Sequence, residues 1–272
     1  MLELKPKGIF RKDNFAPMVG DIAEVEYTAD TCVISSIKPR KNSLIRPFIS
    51  NIDILIIVAS AGKPKPDVYS IDKLTVICEL KNISPVIVIS KNDVDDGMVD
   101  KLNEIYKNAG YDCVSVSAVT GDGIDKLEAY LQGKLCVFAG VSGVGKTSII
   151  KTMCESDSLI TGDISRKTGR GKHTTRHNEI FTTDSGIMIA DTPGFSLVWT
   201  KEYGRILKND LQHYFPEFKP FLNECKFNNC LHIKEKDCAV IKAVNDGEIG
   251  ESRYKNYIRL LDEVKDIKHW QE

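Results

Sequence analysis

One stretch of the chain, GVSGVGKT, constrains the fold more than any other because it directly follows the apolar run Leu135–Ala139. It fits GxxxxGK[ST], the pattern of a phosphate-binding loop between a strand and a helix. In such a loop the glycines let backbone N–H groups converge on phosphate oxygens, the lysine neutralises the β and γ phosphates, and the hydroxyl ligates Mg²⁺. A chance glycine-rich turn is the alternative. The motif predicts an α/β core that binds a nucleoside triphosphate through Gly140, Val141, Ser142, Gly143, Val144, Gly145, Lys146, Thr147 and Ser148.

The composition is that of an ordinary globular protein, with 272 residues, 42% of them hydrophobic and 28% charged, and a net charge of -1. A chain of this length is expected to form about two domains. The longest apolar run, Ile54–Ala59, is far shorter than the ~18 residues that span a bilayer, and the N-terminus has no apolar signal segment. We therefore expect a cytoplasmic protein with no membrane partner. A nucleic acid would have to meet local basic patches rather than an overall positive charge.

The pattern along the chain predicts three domains. Residues 1–47 show short alternating runs between turn signals, as in a small β domain. Residues 48–200 contain continuous apolar runs separated by stretches of helical spacing, which is typical of parallel strands covered by helices on both faces. Residues 201–272 lack this alternation and end in an amphipathic helix, with Tyr254, Tyr257, Ile258, Leu261 and Val264 on one side.

A second phosphate-sensing element follows the strand-like run Gly186–Ala190. The tetrapeptide from Asp191 to Gly194 fits DxxG, in which the Asp reaches the metal shell and the Gly amide reaches the γ-phosphate. An Asp-x-Pro-Gly turn is common by itself, but its place one strand after the phosphate loop favours the functional interpretation. We therefore predict that Thr147 and Asp191 ligate Mg²⁺.

Two loops earlier in the chain resemble the guanine-reading loops of GTPases. One follows the run Val86–Ile89 and the other follows Val114–Val116, and they read Ser90-Lys91-Asn92-Asp93 and Ser117-Ala118. In GTPases the Asp carboxylate accepts hydrogen bonds from guanine, the Lys stem lies along the base, and the Ala amide donates to O6. Ser90 stands where Asn or Thr is usual, so we expect a weaker tie to the phosphate loop. An ordinary turn is an equal alternative for the isolated tetrapeptide.

The order of these motifs separates the chain from standard GTPases. The guanine loops precede the phosphate loop, which precedes Asp191, whereas standard GTPases run from the phosphate loop to the guanine loops. The sequence therefore predicts a circularly permuted GTPase. Permutation leaves the site intact, because only the chain break moves while the sheet and its loops are unchanged.

The segment Ser165–Arg176 is rich in glycine and basic residues and has no apolar period, so we predict a loop between the phosphate loop and DxxG. A solvated basic loop without a role is the alternative. Phe195 follows DTPG, where many GTPases place a Gln that orients the attacking water, and an apolar ring cannot do this. His173 is the nearest candidate to replace it, and we predict it as catalytic together with Lys146.

A compact cluster near the C-terminus offers three thiolates and one imidazole. Its spacing is Cys225-x4-Cys230-x-His232-x5-Cys238, a closed tetrahedral set suited to one structural Zn²⁺. Free structural thiols are the alternative. The other five cysteines are scattered singly and are typical of small buried hydrophobic residues in a reducing compartment.

Taken together, these motifs resemble the RsgA family of circularly permuted GTPases, which assist late maturation of the small ribosomal subunit. Further matching stretches are Val19-Gly-Asp21, Ile37-Lys-Pro-Arg40, Arg46-Pro47, Asn51-Ile-Asp53, GRGKHTTR, DTPGF, Cys238-Ala-Val, Gly247-Glu-Ile and Arg253-Tyr254. The resemblance implies an N-terminal OB-fold, a permuted GTPase core and a C-terminal zinc domain. Only residues 1–9 precede Phe10, where the family has further strands, so a complete and a shortened OB-fold-like domain both stay open.

The resemblance also carries expectations about activity. It implies His173 as the catalytic histidine and Thr174 and Thr175 as switch threonines, one of them a Mg²⁺ ligand. It implies a GTP hydrolase with GTP/GDP, Mg²⁺ and Zn²⁺ bound, stimulated by the small ribosomal subunit (30S) and its rRNA, and we expect a monomer. Two alternatives stay open: an RNA-binding scaffold with little useful hydrolysis, and a GTPase of the large subunit.

Overall fold

The N-terminal part folds into two small β-sheets in the computed structural model, which describes residues 5–6, 16–27, 32–155, 179–191 and 206–267. Its strands are β1 (Lys5–Pro6), β2 (Ala23–Tyr27), β3 (Cys32–Ile37), β4 (Ser43–Leu44) and β5 (Ile49–Ser50). The first three form a sheet in the order β1-β3-β2, and β4 pairs antiparallel with β5. The OB-fold-like prediction for residues 1–47 stays a prediction, because the described part of this region is limited to these short strands.

Two of the stretches that resembled the RsgA family meet where the N-terminal sheets join the rest of the protein. Arg40 Nε donates to Asp21 Oδ1 at 2.7 Å, and Ser50 Oγ donates to the same oxygen at 2.7 Å. Gly20 has a φ of 88°, and a Cβ there would lie 2.2 Å from the carbonyl oxygen of Ser50. This close approach requires glycine, which explains why Val19-Gly-Asp21 forms a unit with Arg40.

A six-stranded sheet lies at the centre of the fold. Its strands are β6 (Ile54–Ser60), β7 (Ser84–Ser90), β8 (Asp112–Val116), β9 (Leu135–Ala139), β10 (Glu179–Thr182) and β11 (Met188–Asp191), in the spatial order β10-β11-β9-β6-β7-β8. All neighbours pair in parallel except β10, which runs antiparallel to β11. The predicted parallel core is confirmed, and the antiparallel strand lies at its edge.

Four helices cover this sheet: α1 (Val68–Lys81), α2 (Met98–Asn108), α3 (Ile124–Leu131) and α4 (Lys146–Glu155). Every residue of β6 is buried, because alternate side chains belong to different apolar clusters on the two faces. Leu55 packs in a cluster with Leu74 of α1, whereas Ile56 packs in a cluster with Leu127 of α3. This burial on both faces explains why the strands read as continuous apolar runs.

The C-terminal part is mainly helical and has its own apolar cluster. It contains 3₁₀ helices at Leu211–Tyr214 and Pro216–Glu224, followed by α5 (Ala239–Asn245) and α6 (Glu251–Val264). The ring of Phe218 lies 5.2 Å from that of Phe215 and 4.9 Å from that of Tyr257, between centroids. The apolar side predicted for α6 packs into this cluster.

The C-terminal cluster continues onto α1 of the sheet domain through Tyr69 and Val76. Beside this cluster lies Arg253 of α6, which has no exposed surface and whose guanidinium is 4.7 Å from the ring centroid of Phe215. Its guanidinium donates to Asp72 Oδ1 at 2.7 Å and to Glu217 Oε1 at 2.6 Å. Burial would lower the pKa of Arg253, but the two carboxylates raise it well above its ordinary value, so the group stays charged.

We call the buried ion pairs of Arg253 with Asp72 and Glu217 the joint. Two further side chains donate hydrogen bonds to Asp72 in it. Tyr106 of α2 donates its hydroxyl to Oδ1 at 3.0 Å, and Asn256 of α6 donates to Oδ2 at 2.6 Å. The joint therefore connects the C-terminal part to two helices of the sheet domain, α1 and α2.

The predicted boundary at residue 47 stays a prediction, and the one between residues 200 and 201 lies outside the described residues. Within the described ranges, no helix combines the length and apolar character needed to cross a bilayer.

Candidate nucleotide site and metal centre

The predicted nucleotide loops come together at one edge of the central sheet. Ser60 at the end of β6 is in register with Ser90 at the end of β7, which is in register with Val116 at the end of β8. On the other side of β6, Ile57 is in register with Ala139, the last residue of β9. Because the carboxyl ends of parallel strands share an edge, the two guanine loops and the phosphate loop face a common space.

The phosphate loop has the backbone that its glycines predict. Gly140, Gly143 and Gly145 have φ values of 140°, 80° and 100°. A Cβ on Gly140 would lie 2.5 Å from the carbonyl oxygen of Val58, so a side chain there would clash with β6. Val144 is buried in the core, so of this residue only the backbone is available to a ligand.

The cationic group of Lys146 lies over this loop. Its Nζ donates to the carbonyl oxygens of Gly140 at 2.7 Å and Val141 at 2.9 Å. Partial burial lowers the pKa of Lys146. A half-buried ammonium above a loop of backbone N–H groups suits an anionic phosphate. Thr147 and Ser148 are exposed in the first turn of α4, which leaves the Thr147 hydroxyl available to a metal ion.

The first three residues of the predicted base loop are held by hydrogen bonds to other loops. Ser90 Oγ donates to the carbonyl oxygen of Val144 at 2.5 Å and lies 3.1 Å from that of Ala59, a second acceptor for the same proton. The expectation of a weak tie at this position is wrong, because the short serine side chain reaches the phosphate-loop backbone directly. Lys91 Nζ donates to the carbonyl oxygens of Lys63 and Gly143, the latter at 2.8 Å.

The two guanine loops are also joined to each other, which the sequence motif did not reveal. Asn92 Nδ2 donates to Asp122 Oδ2 at 2.5 Å. Asp93, next in sequence, is exposed, and no hydrogen bond from the described residues reaches its carboxylate. The anchored neighbours therefore present Asp93 as the acceptor of this loop.

The second loop is fixed by its own serine. Ser117 is fully buried, and its Oγ accepts from the backbone N–H groups of Val119 at 3.1 Å and Thr120 at 3.2 Å. Ala118 follows directly, and its carbonyl oxygen accepts from Thr152 Oγ1 of α4 at 3.3 Å. The contact with Thr152 holds the Ala118 backbone against the second half of the phosphate-loop helix.

The remaining predicted nucleotide residues lie at the end of β11 or outside the described residues. Asp191 ends β11, the strand beside the phosphate strand β9, so its backbone is at the predicted edge. His173, Thr174, Thr175 and Gly194 lie outside the described residues, so their roles stay predictions.

The four predicted metal ligands converge in the C-terminal part. One ligand atom from each of Cys225, Cys230, His232 and Cys238 lies within 4.8 Å of all the others. His232 Nδ1 is 3.2 Å from Cys238 Sγ and 3.7 Å from Cys225 Sγ. Three thiols and one imidazole at this spacing fit a tetrahedral Zn²⁺.

The loop that carries His232 is held from several sides. Tyr254 donates its hydroxyl to the carbonyl oxygen of His232 at 2.7 Å, and Tyr257 donates to that of Leu231 at 3.0 Å. Glu235 accepts backbone N–H bonds from Leu231, Ile233 and Lys234, which hold its pKa below the ordinary value although burial acts in the opposite direction. Gln212 contacts the ring itself, and no spacing pattern in the sequence marks it.

Comparison with known proteins places this arrangement in a family. The RsgA GTPase family profile matches residues 37–200. A protein of Caldanaerobacter subterraneus named small ribosomal subunit biogenesis GTPase RsgA is 44% identical, over 98% of this chain and 90% of its own length. A Geobacillus kaustophilus protein of the same name is 42% identical over 98% of this chain and 92% of its own.

Solved structures agree with the sequence comparison. The crystal structure of YjeQ from Thermotoga maritima superposes with a TM-score of 0.82 at 35% identity, covering 97% of this chain and 90% of that one. The structure of YloQ, described as a circularly permuted GTPase, gives 0.80 at 35% identity over 98% and 87% of the two chains. With its guanine loops ahead of its phosphate loop on a single sheet edge, the chain belongs to the RsgA family of circularly permuted GTPases.

Proposed function

We propose that this GTPase binds the small ribosomal subunit, through its rRNA, and assists late maturation of the subunit, with GTP hydrolysis coupled to release. The observation that carries the proposal is the meeting of two base loops and one phosphate loop at one sheet edge. The names of relatives that align over nearly the whole chain supply the ribosomal partner. We propose a monomer that acts in the cytoplasm.

In this proposal Asp93 selects guanine. Its exposed carboxylate would accept from the N1 and N2 hydrogens of guanine, and adenine lacks that donor pair. Asp93→Asn should shift preference toward xanthosine nucleotides, because the C2 carbonyl of xanthine can accept from the new amide. Competition binding with GTP, XTP and ATP measures this. Equal affinity of the parent protein for ATP and GTP would contradict the assignment.

The phosphates would be held by the loop backbone and by Lys146. Thr147, Asp191 and one of the two threonines at 174 and 175 would hold Mg²⁺, which neutralises charge on the β and γ phosphates. These residues would fix the γ-phosphate in line for attack. Positioning and charge neutralisation supply most of the rate enhancement in such reactions.

His173 would orient the attacking water, because Phe195 stands where a glutamine is frequent and cannot form the bond. The basic residues around it, Arg170, Lys172 and Arg176, would meet rRNA phosphates and bring the loop into position on the subunit. Hydrolysis by the free protein should therefore be slow. We expect His173→Ala to remove most of the 30S-stimulated turnover while leaving GTP affinity unchanged.

The decisive experiment is GTP turnover without particles, with 30S subunits and with 50S subunits, together with co-sedimentation in a non-hydrolysable GTP analogue. We expect stimulation and co-sedimentation with 30S subunits alone. Co-sedimentation with 30S subunits without stimulation would favour an RNA-binding scaffold, and stimulation by 50S subunits would favour a large-subunit GTPase. A His173→Ala variant stimulated as strongly as the parent would assign the water to another group.

A further inference from the structure

The buried ring of His232 has polar groups on both sides, cysteine sulfur atoms at one nitrogen and a glutamine amide at the other. Only 1% of the residue is exposed. On one side Nδ1 faces the sulfur atoms of Cys238 and Cys225. On the other side Nε2 lies 2.7 Å from Oε1 of Gln212, a residue of the 3₁₀ helix Leu211–Tyr214. The two ring nitrogens therefore have different partners.

The orientation of the Gln212 amide is determined by a second contact. Its Nε2 donates to the carbonyl oxygen of Asn209 at 2.8 Å, which turns Oε1 toward the histidine. An amide oxygen only accepts hydrogen bonds, so His232 Nε2 must carry the proton in this contact. The neutral ring then keeps its lone pair on Nδ1, the nitrogen that faces the cysteines.

The position of Gln212 is itself fixed by packing. Its neighbour Leu211 and the following Phe215 have no exposed surface and belong to the C-terminal apolar cluster. The 3₁₀ helix therefore holds the amide at a constant place relative to the metal-ligand loop, although Gln212 precedes the first cysteine of the cluster in sequence.

We propose that Gln212 is a positioning residue of the zinc site, which selects Nδ1 of His232 as the ligand atom and orients the ring toward the ion. The proposal rests on the zinc site assigned above. A histidine ligand whose other nitrogen donates to a fixed acceptor is a better metal ligand, because its tautomer and its direction are set before binding. Loss of such a partner typically lowers metal affinity about 10- to 100-fold.

The test is zinc affinity, measured on the full chain by competition with a chromophoric chelator. Gln212→Leu keeps the approximate volume and removes the acceptor, and it should lower zinc affinity about 10- to 100-fold. Gln212→Glu keeps an acceptor for His232 but loses the donation to Asn209, so it should bind zinc more tightly than Gln212→Leu. Asn209→Ala is the matched control, because it leaves the backbone carbonyl in place and should not change zinc affinity.

A second measurement needs no variant. In zinc-loaded protein with ¹⁵N-labelled histidine, the shifts of His232 should identify Nε2 as protonated and Nδ1 as metal-bound. Metal-bound Nε2, or equal zinc affinity of Gln212→Leu and the parent, would overturn the role of Gln212 while leaving the zinc site intact. A parent protein that folds fully and binds no zinc would overturn both.

Discussion

The nucleotide edge and the cysteine–histidine cluster are two ligand sites built on opposite principles. At the nucleotide edge, Ser90, Lys91 and Asn92 are tied to other loops, and the side chain offered to the base, Asp93, is exposed. In the cluster, three of the four ligand residues are buried and face one another. The nucleotide loops are tied together by their own hydrogen bonds, whereas the fit of the cluster to Zn²⁺ predicts that a cation holds its ligands together.

The pKa values of the cysteine and histidine residues in the cluster are consistent with this difference between the two sites. Burial raises the pKa of Cys238 to about 12 and also raises that of Cys230, since the protein supplies little positive charge to the thiolates. Burial lowers the pKa of His232, which favours the neutral ring. A divalent cation would displace the thiol protons, so we expect zinc binding and folding to be coupled here.

The largest expected effect tests this coupling. Zinc removal by chelation, or Cys230→Ala, should unfold the region after about residue 215, because structural zinc contributes roughly 10 to 16 kcal/mol in zinc-finger peptides. Nucleotide affinity should remain nearly unchanged, since the loops at the sheet edge are tied to one another. Protease protection measures the unfolding of the C-terminal region, and binding of fluorescent GDP measures nucleotide affinity. Cys32→Ala is the control, and a C-terminal domain that is ordered without zinc would contradict the contrast.

The next effect concerns the joint between the two regions. Arg253→Met should destabilise the protein by about 3 to 5 kcal/mol, because it leaves the Asp72 and Glu217 carboxylates buried without their cation. Urea unfolding measures this. Lys255→Met, on the exposed side of the same helix, should change stability by less than about 0.5 kcal/mol.

The same variant should show a pH dependence of known sign. Burial raises the pKa of Asp72 above its ordinary 3.8, and Arg253 opposes this, so removal of Arg253 should raise the pKa further. The folded variant then binds more protons than the unfolded chain. Its stability therefore increases as the pH falls toward the pKa that Asp72 has in the unfolded chain. The stability deficit should therefore be smaller at about pH 5 than at about pH 7. A constant deficit would show that Asp72 does not take up the proton.

A smaller effect is expected for the phosphate loop. Lys146→Ala should lower GTP turnover about 10²- to 10³-fold, the range found when one charge-stabilising donor is removed, without unfolding the loop. Lys151→Ala, an exposed lysine of the same helix, should leave turnover unchanged. If Lys146→Ala instead abolished folding, the nucleotide edge would depend on its ligand-binding groups as much as the cluster does.

The smallest effect sharpens the description of the base loops. Asp122→Ala or Asn92→Ala should weaken GTP binding about two- to tenfold, as expected for loss of one exposed hydrogen bond worth about 0.5 to 1.5 kcal/mol. The double variant should bind no worse than either single variant, because both remove the same contact. Additive losses in this double-mutant cycle would show that the two side chains act separately.

Features that depend on local chemistry were predictable from the sequence. The phosphate loop needs glycine where φ is positive, and a strand covered on both faces needs a continuous apolar run, so both leave a readable pattern. The metal-ligand spacing is readable for the same reason. The circular permutation was predictable because it follows from the order of the motifs along the chain.

Features that depend on distant partners were not predictable. Asp72 and Arg253 are 181 residues apart, and neither lies in a spacing pattern that indicates a buried ion pair. The hydrogen bond from Ser90 to the phosphate loop required knowledge of how closely β7 approaches the carbonyl of Val144. The antiparallel β10 lacks a signal because pairing direction at a sheet edge depends on the connection rather than on the residues.

The position of β6 between β7 and β9 has a consequence for biosynthesis. In this permuted chain the strands that carry the base loops leave the ribosome before the strand that carries the phosphate loop. Until β9 emerges, one edge of the wholly buried strand β6 has no partner, and an open apolar edge of this kind invites pairing with other chains. Synthesis of residues 61–139 takes on the order of 10 s at ~5–20 residues per second. During that interval the nascent chain carries β6 with one edge open. A GTPase of standard motif order makes its phosphate strand before the strands of its base loops, so the order in which its sheet edges are completed differs.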